Sequence, residues 1–596
     1  MKRIDRKNQI CILATAVCLL IYTVWRLGWT IPADKGTVPV VCWIILTVVE
    51  FVGLFELAVF IYEFVHKEDI RLPSVREADF PDVDVFIFTI NEPEELLEKT
   101  IYACRKMKYP DPKKIHVYVC DDGARDSMHH LADRMGVNYL CRNVNTDAKA
   151  GNFNYALIKS RSPLIAIFDA DMMPKENFLM KTVPYFAADK KVGFVQTPQH
   201  FYRKDIFQRS LPHKNVLHNE QDYFYQVIQK TKNSANSVVL AGSNTLIRRT
   251  AVEEIGGFVT GTLTEDFSTG IEIQKKGYTG IAINEVLADG LPPMDFGSLI
   301  KQRRRWAKGC IQSGRKTQYL MSKNLSVRQK MNYFSSIIYW YSSLKRLIYM
   351  VAPMLFCMFG IGVMRCEPWQ IALFWFPLYA CISLCVYRFS DKIRSLYWTN
   401  IYETVLMPFL LPAVMQELFG FHQKTFDVTS KKRAEKNHKQ TLGYLAPYVI
   451  LLLLNLVSLA MVLYRSYMEA AYHYVLLIVY LLINCHTLYT ACRIVVGSAS
   501  NEEDPLFPIQ EAMQYRDCAE AEFVNIKTLA MSEDTIKTGT YDEAWTGGTI
   551  RIPCRNAETG YLEIPVCYEK GGIWKINTSA VSKNSYQEYI YFLFNH

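Results

Sequence analysis

Six stretches of this chain, residues 10–25, 38–62, 347–364, 369–386, 442–464 and 474–492, are apolar over about the length that carries an α-helix across a hydrocarbon core, roughly 20 residues. A chain built this way must fold partly in lipid, and the stretches are unevenly spaced. Two come first, four come late, and nearly three hundred residues of ordinary polar sequence lie between the two groups. The first stretch is short, but Trp25 and Trp29 suit headgroup depth and Arg26 can reach out of the membrane, so it is read as a retained anchor and not as a cleaved leader. Lys2, Arg3, Arg6 and Lys7 place the N-terminus inside, two crossings return the long intervening segment to the same side, and four more do so for the C-terminal region. Arg388, Lys392, Arg394, Lys424, Lys431, Lys432, Arg433 and Lys436 all fall in the loop this topology puts inside. Residues 333–346 and 401–419 mix aromatics with charge or proline, and are expected to lie along the membrane surface.

Net charge is +9 over 596 residues, with the basic residues gathered beside apolar segments, which argues against nucleic acid as a partner. The 16 cysteines include no CxxC pair, and are expected to be reduced. In the long segment, short β-branched runs alternate with polar helical stretches, the pattern of an α/β domain with a largely parallel sheet. Candidate strands are residues 83–90, 115–120, 164–168 and 192–196, each running into a polar cluster. Ligands of such sheets sit at the carboxyl ends of the strands. The last hundred or so residues, with short alternating runs at 523–528, 549–553 and 561–566, read as a small β domain.

The clusters carry chemistry. Thr89-Ile90-Asn91-Glu92-Pro93 and Asp121-Asp122-Gly123 end the first two strands and form a crevice suited to a nucleoside, with Thr89, Glu92, Asp121 and Asp122 as candidate contacts. A DDG triplet alone is more often a turn. Asp169-Ala170-Asp171 follows a wholly apolar strand, so period-two alternation sets two carboxylates on one side, where Mg²⁺ or Mn²⁺ would find oxygen ligands beside a diphosphate. Thr264-Glu265-Asp266 supplies a third acidic site. Asp266 is the candidate base for deprotonating a sugar hydroxyl, and a helix start is the bland reading of the same residues. Gln302-Arg303-Arg304-Arg305-Trp306 joins guanidinium groups, which neutralise a departing diphosphate, to an indole that offers a flat face to a sugar; a lipid-binding basic patch is the alternative.

Taken in order, DDG, DAD, TED and QRRRW resemble the D, DxD, TED, Q(Q/R)xRW series of the processive branch of glycosyltransferase family 2, which includes cellulose, chitin, hyaluronan, curdlan and mixed-linkage glucan synthases. The resemblance implies a multi-pass α-helical membrane protein with a cytosolic α/β GT-A-like catalytic domain. It implies UDP contacts at Asp122, Lys149 (in AKAGNFN), Asp169, Gln302, Arg303 and Arg305, metal at Asp169 and Asp171, the base at Asp266 with Thr264 and Glu265 beside it, and Trp306 at the acceptor end. Gln196-Thr197-Pro198-Gln199-His200-Phe201 is similar to the QTPxxF stretch of bacterial cellulose synthases, which implies acceptor contacts at Gln196 and Phe201. Phe426, Val428, Thr429 and Lys431 match that group's FxVTxK gating loop. Two departures stand out: Ile90 where cellulose synthases usually carry Tyr, and two spans before the catalytic domain where the bacterial subunit usually has four. The C-terminal β region sits where that subunit carries a PilZ barrel for cyclic di-GMP, but Arg493 has no partner four residues on, so a degenerate barrel not governed by that messenger is expected.

The expected division is therefore two spanning helices (1–66), a catalytic domain (67–330), surface helices, four spans and a gating loop (331–498, loop 426–431), and a C-terminal β domain (499–596). The expected activity is processive, inverting transfer from UDP-glucose into a β-glucan exported across the plasma membrane, with the growing polysaccharide, membrane lipid and accessory export subunits as partners. UDP-N-acetylglucosamine in a chitin-like or hyaluronan-like synthase is the alternative within the class. A transporter or sensor whose α/β domain only binds nucleotide is the alternative outside it.

Overall fold

The computed structural model describes residues 5–211, 217–421, 438–469, 474–498, 509–517, 521–539, 547–553, 561–570 and 572–595. Among these, six helical segments are long and apolar enough to cross a membrane: Arg6–Lys35, Thr37–Val65, Val327–Phe359, Pro368–Phe389, Lys439–Met468 and Val475–Gly497. They fall on the six apolar stretches, with one shift. The third begins well before residue 347, so residues 333–346 do not form a separate surface segment. They belong to a helical run, Val327–Ile338, Tyr339–Tyr341 and Ser342–Phe359, opened by a Ser326/Gln329 capping box. The two charges in that stretch find partners inside the bundle instead: Lys345 pairs with Glu56, and Arg346 Nε donates to Thr404 Oγ1 at 2.8 Å.

Residues 401–419 lie in one 23-residue helix, Leu396–Leu418, which carries Pro408 and Pro412. It packs beneath a long amphipathic helix, Phe296–Lys316, where Lys308 Nζ donates to Gln416 Oε1 (2.9 Å) and Gln312 Nε2 to Glu417 Oε1 (2.8 Å). Helix Phe296–Lys316 carries the whole QRRRW run, so membrane-side packing and the basic cluster share one rigid element.

The α/β domain contains ten strands: β1 (Val83–Thr89), β2 (Ile115–Asp121), β3 (Asn138–Leu140), β4 (Leu164–Asp169), β5 (Met172–Pro174), β6 (Val192–Gln196), β7 (His200–Phe201), β8 (Thr245–Arg248), β9 (Thr279–Ala282) and β10 (Ala288–Gly290). Seven form one sheet in the order β3-β2-β1-β4-β8-β6-β9, in which β8 is antiparallel to both its neighbours and the other pairings are parallel; β5, β10 and β7 form a smaller sheet. All seven residues of β1 are buried, as expected for a strand covered on both faces. Val83, Val85 and Ile87 enter one apolar cluster, while Phe86 and Phe88 enter the cluster on the opposite side. The parallel register sets Thr89 opposite Asp121 and Phe88 opposite Asp169, which brings three of the sequence clusters to a single edge.

The C-terminal region is a closed six-stranded barrel of β11 (Ala512–Arg516), β12 (Val524–Met531), β13 (Thr535–Thr538), β14 (Gly547–Pro553), β15 (Tyr561–Lys570) and β16 (Ile573–Ile576), followed by a helix, Lys583–Asn595, that the strand pattern did not announce. Barrel and terminal helix dock on helix Glu94–Arg105, directly after β1. The contacts are Lys99–Glu533 (2.6 Å), Lys106–Glu588 (2.7 Å), Lys583–Glu98 (2.7 Å) and Gln587 Nε2 to Glu98 Oε1 (2.6 Å).

At the end of β1 away from the crevice, Asp84 is 1% exposed yet fully served: Arg249 Nη2 (2.8 Å), Ser162 N (2.8 Å) and Ser162 Oγ (2.7 Å) all donate to it. Arg249 also donates to the carbonyls of Ser162 and Leu157. Arg249→Ala leaves a carboxylate buried without its cation and is expected to destabilise the α/β domain by about 3–5 kcal/mol. Thermal unfolding of the detergent-solubilised variant against the parent checks this.

Candidate active site

The crevice is assembled from strand ends. Asp121, fully buried, accepts from Gly123 N (2.9 Å), Arg125 N (2.9 Å), Arg125 Nη2 (3.1 Å) and Tyr139 Oη (3.1 Å), so it shapes the turn that presents Asp122. Glu92 Oε2 accepts from Thr89 Oγ1 and Ile90 N, both at 2.8 Å. Arg125 ties the two loops together by donating to Thr89 Oγ1 and to Glu92 O, each at 2.7 Å. Thr89, Glu92 and Asp121 thus form one braced wall.

Asp122 is gripped bidentately by Arg142, Nε to Oδ1 at 2.6 Å and Nη2 to Oδ2 at 2.8 Å. The same guanidinium donates to Thr146 O (2.5 Å) and Ala148 O (2.8 Å). Those carbonyls belong to a loop in which Asp147 and Ala148 adopt φ of 59° and 44°, the left-handed region. The loop closes so tightly that a Cβ on Gly151 would lie 2.1 Å from Thr146 O. Its product is the position of Lys149, whose Nζ pairs with Asp169 and donates to Gly242 O at 2.6 Å.

Gly242 links this cluster to the third acidic site. Its φ is +74°, and a Cβ there would lie 2.6 Å from Asp266 Oδ2, so only glycine lets the base come this close to the backbone that Lys149 holds. Asp266 Oδ1 accepts from Phe267 N at 2.7 Å in the first turn of helix Glu265–Lys275. Glu265 and Asp266 are both raised above the ordinary carboxylate range, chiefly by burial; Asp266 also raises Glu265, while Lys149 and Arg305 pull the other way on both. Burial thus favours the protonated form of both carboxyls, and the two cations favour the ionised form. Thr264 is 7% exposed and its hydroxyl lies 3.1 Å from Ser313 Oγ, so it anchors the TED run to helix Phe296–Lys316, where Gly309 leaves the room.

On that helix Gln302 and Arg303 are buried and Arg304 is exposed; Arg303 pairs with Glu220 and covers Trp306, 4.4 Å from its ring centre. Arg305 lies close enough to the acidic pair to act on both of its members. Gln196 and Phe201 are placed differently from a pair of acceptor contacts. The Gln196 amide donates to Thr197 O (2.9 Å) and Ser243 O (2.8 Å) and accepts from Ala241 N (2.8 Å) and Thr245 Oγ1 (2.7 Å), so it holds the Gly242 loop from behind. Phe201 is a core residue. Phe426, Val428, Thr429 and Lys431 lie outside the described residues.

Asp169 is 40% exposed, whereas Asp171 is buried at 4%. Among the described residues no three His, Cys, Asp or Glu side chains gather as a closed metal cage. Asp169 and Asp171 are the carboxylates of this edge that could hold a divalent cation. Arg125, Arg142 and Gly242 did not stand out in sequence. Their only signals were an arginine three positions after Asp122, another just past β3, and a glycine just before β8.

Residues 164–415 match the family model described as glycosyl transferase family group 2. The match begins at β4 and runs on into helix Leu396–Leu418. The chain is 34% identical over 381 residues to a cellulose synthase catalytic subunit (UDP-forming) of Pseudomonas fluorescens, covering 64% of this chain and 51% of that one. It is 30% identical over 435 residues to the cellulose synthase 1 catalytic subunit (UDP-forming) of Komagataeibacter xylinus, covering 72% and 58%. Across such relatives the matches span 27% to 59% of the relative's own length. Among solved structures, the mannosyltransferase PcManGT of Pyrobaculum calidifontis, in complex with GDP-Man and Mn²⁺, aligns with a TM-score of 0.43 at 17% identity over 68% of this chain and 99% of that one.

Arg142→Lys keeps the charge but loses the fork that spans Asp122 and the two carbonyls. The expected result is a roughly tenfold weaker UDP affinity, about 1.4 kcal/mol, with an unfolding midpoint close to that of the parent; titration with UDP checks it.

Proposed function

We propose that this protein is a processive, inverting β-glycosyltransferase that polymerises UDP-glucose into a β-glucan at a membrane and passes the product across it. The observation that carries the reading is the meeting of Lys149, Asp169, Gly242 and Asp266, contributed by four separated stretches of chain, at the edge where Thr89, Asp121 and Asp122 also lie. The names of the cellulose synthase relatives favour glucose as the sugar.

In this reading the nucleoside sits against the wall formed by Thr89, Glu92, Asp121 and Asp122. Asp169 and Asp171 would hold a divalent cation, which when bound offsets charge on the diphosphate. The acceptor hydroxyl attacks the anomeric carbon of the donor from the face opposite UDP. Asp266 takes the hydroxyl proton as the new C–O bond forms and the bond to UDP breaks. Lys149 and Arg305, with the rest of the basic run, stabilise the negative charge that grows on UDP, and Trp306 offers a face to the terminal sugar. Gln302 and Arg303 shape that end of the cleft. Basic residues beside the spans favour the α/β domain and both termini on the cytosolic side, and a loop at 426–431 would close over the nucleotide. The barrel is PilZ-like in form, and accessory export subunits would take the polymer onward.

Membranes carrying the protein, supplied separately with UDP-glucose and UDP-N-acetylglucosamine and with Mg²⁺ or Mn²⁺, should yield polymer from UDP-glucose that β-glucan-specific hydrolases degrade. Asp266→Asn should lower output by several orders of magnitude while UDP still binds. Incorporation of N-acetylglucosamine alone would refute the glucan assignment, and undiminished output from Asp266→Asn would refute the assigned base.

A further inference from the structure

The first and fourth spanning helices face each other through two pairs of cysteines. Cys11 Sγ lies 3.1 Å from Cys385 Sγ, and Cys18 Sγ lies 4.0 Å from Cys381 Sγ. A single cysteine in an apolar helix is an ordinary small core residue. Two facing pairs on one helix–helix contact are a different matter, because each pair needs both helices in register. That register is fixed around the first pair. Thr15 Oγ1 donates to Cys11 O at 2.8 Å and sits 3.1 Å from Cys385 Sγ, and Arg388 donates to Asn8 Oδ1 at 3.0 and 2.9 Å.

We propose that Cys11 and Cys385 are an oxidative modification site, at which one disulfide staples the first spanning helix to the fourth. A disulfide needs its sulfurs about 2.05 Å apart, so these two must approach by roughly 1 Å. The two thiols lose two protons and two electrons as the Sγ–Sγ bond forms. The acceptor we assign is a lipid-dissolved quinone, which leaves as the quinol carrying both protons and both electrons. Cys385 is fully buried in the protein and Cys11 is 6% exposed, while Cys18 and Cys381 are partly open on the flank of the same helix pair, so a lipid-borne oxidant meets the helix contact on that flank. Burial also shields the finished bond from water-soluble thiols.

The staple would join residues 374 apart in sequence, and it bears on the site through the chain that follows. Beyond Cys385 the helix Phe376–Phe389 leads within a few residues into helix Leu396–Leu418, which carries the Gln416 and Glu417 contacts to helix Phe296–Lys316. This inference is independent of the sugar the enzyme uses.

The test uses the full-length protein in native membranes, treated with a short-chain benzoquinone, alkylated, and cut by protease in the segment between residues 66 and 82. Without reductant, the N-terminal fragment should stay attached to the remainder on a denaturing gel and separate on reduction, and mass spectrometry of the uncut band should find a peptide pair joining Cys11 to Cys385. Cys385→Ser should abolish the linked band, while the double variant Cys18→Ser/Cys381→Ser should retain it. Fragments of the unaltered protein that separate with or without quinone, or a link that persists in Cys385→Ser, would overturn the proposal.

Discussion

Like charges crowd the edge of this sheet, and the site exists because each carboxylate is held by its own donors from a different loop. Asp121 rests on backbone amides and Arg125, Asp122 on Arg142, Asp169 on Lys149, and Asp266 on the amide of Phe267 within reach of Lys149 and Arg305. Without these partners, parallel strands that end in acids would repel one another and draw apart. With them, the edge stays compact while Asp169, Glu265 and Asp266 all keep partial exposure.

The same economy joins the membrane part to the chemistry. Helix Phe296–Lys316 holds Thr264 through Ser313 on one side and the Leu396–Leu418 helix through Lys308 and Gln312 on the other. A shift of the bundle is therefore felt at the TED run without any flexible linker between them. On the opposite flank the barrel and its terminal helix grip helix Glu94–Arg105, which begins immediately after Glu92 and Pro93. The Thr89–Glu92 turn is thus braced from the barrel side, and the TED run from helix Phe296–Lys316.

Much of this was legible in the residues. Apolar runs of spanning length marked the membrane helices, and the wholly apolar strand leading to Asp169 marked the sheet and one of its functional ends. What escaped was the part that depends on the partner across a gap. Residues 333–346 looked interfacial because Lys345 and Arg346 were visible and their partners, Glu56 and Thr404, lie on other helices. Gln196 looked like an acceptor contact because of its motif, and the structure shows its amide also bonded to Thr197, Ser243, Ala241 and Thr245. Arg142 and Gly242 were silent because one reads as a loop arginine and the other as a turn glycine until Asp122 and Asp266 are placed beside them.

The central claim is that these separated acids and cations make one nucleotide-diphosphate site. Equilibrium binding of UDP to the full-length protein in detergent, with Mg²⁺ or Mn²⁺ present, tests it most directly. The account predicts saturable binding by the unaltered protein that is lost in Asp169→Asn and in Lys149→Ala. Equal binding by the unaltered protein and both variants, or no binding by any of the three, would contradict it.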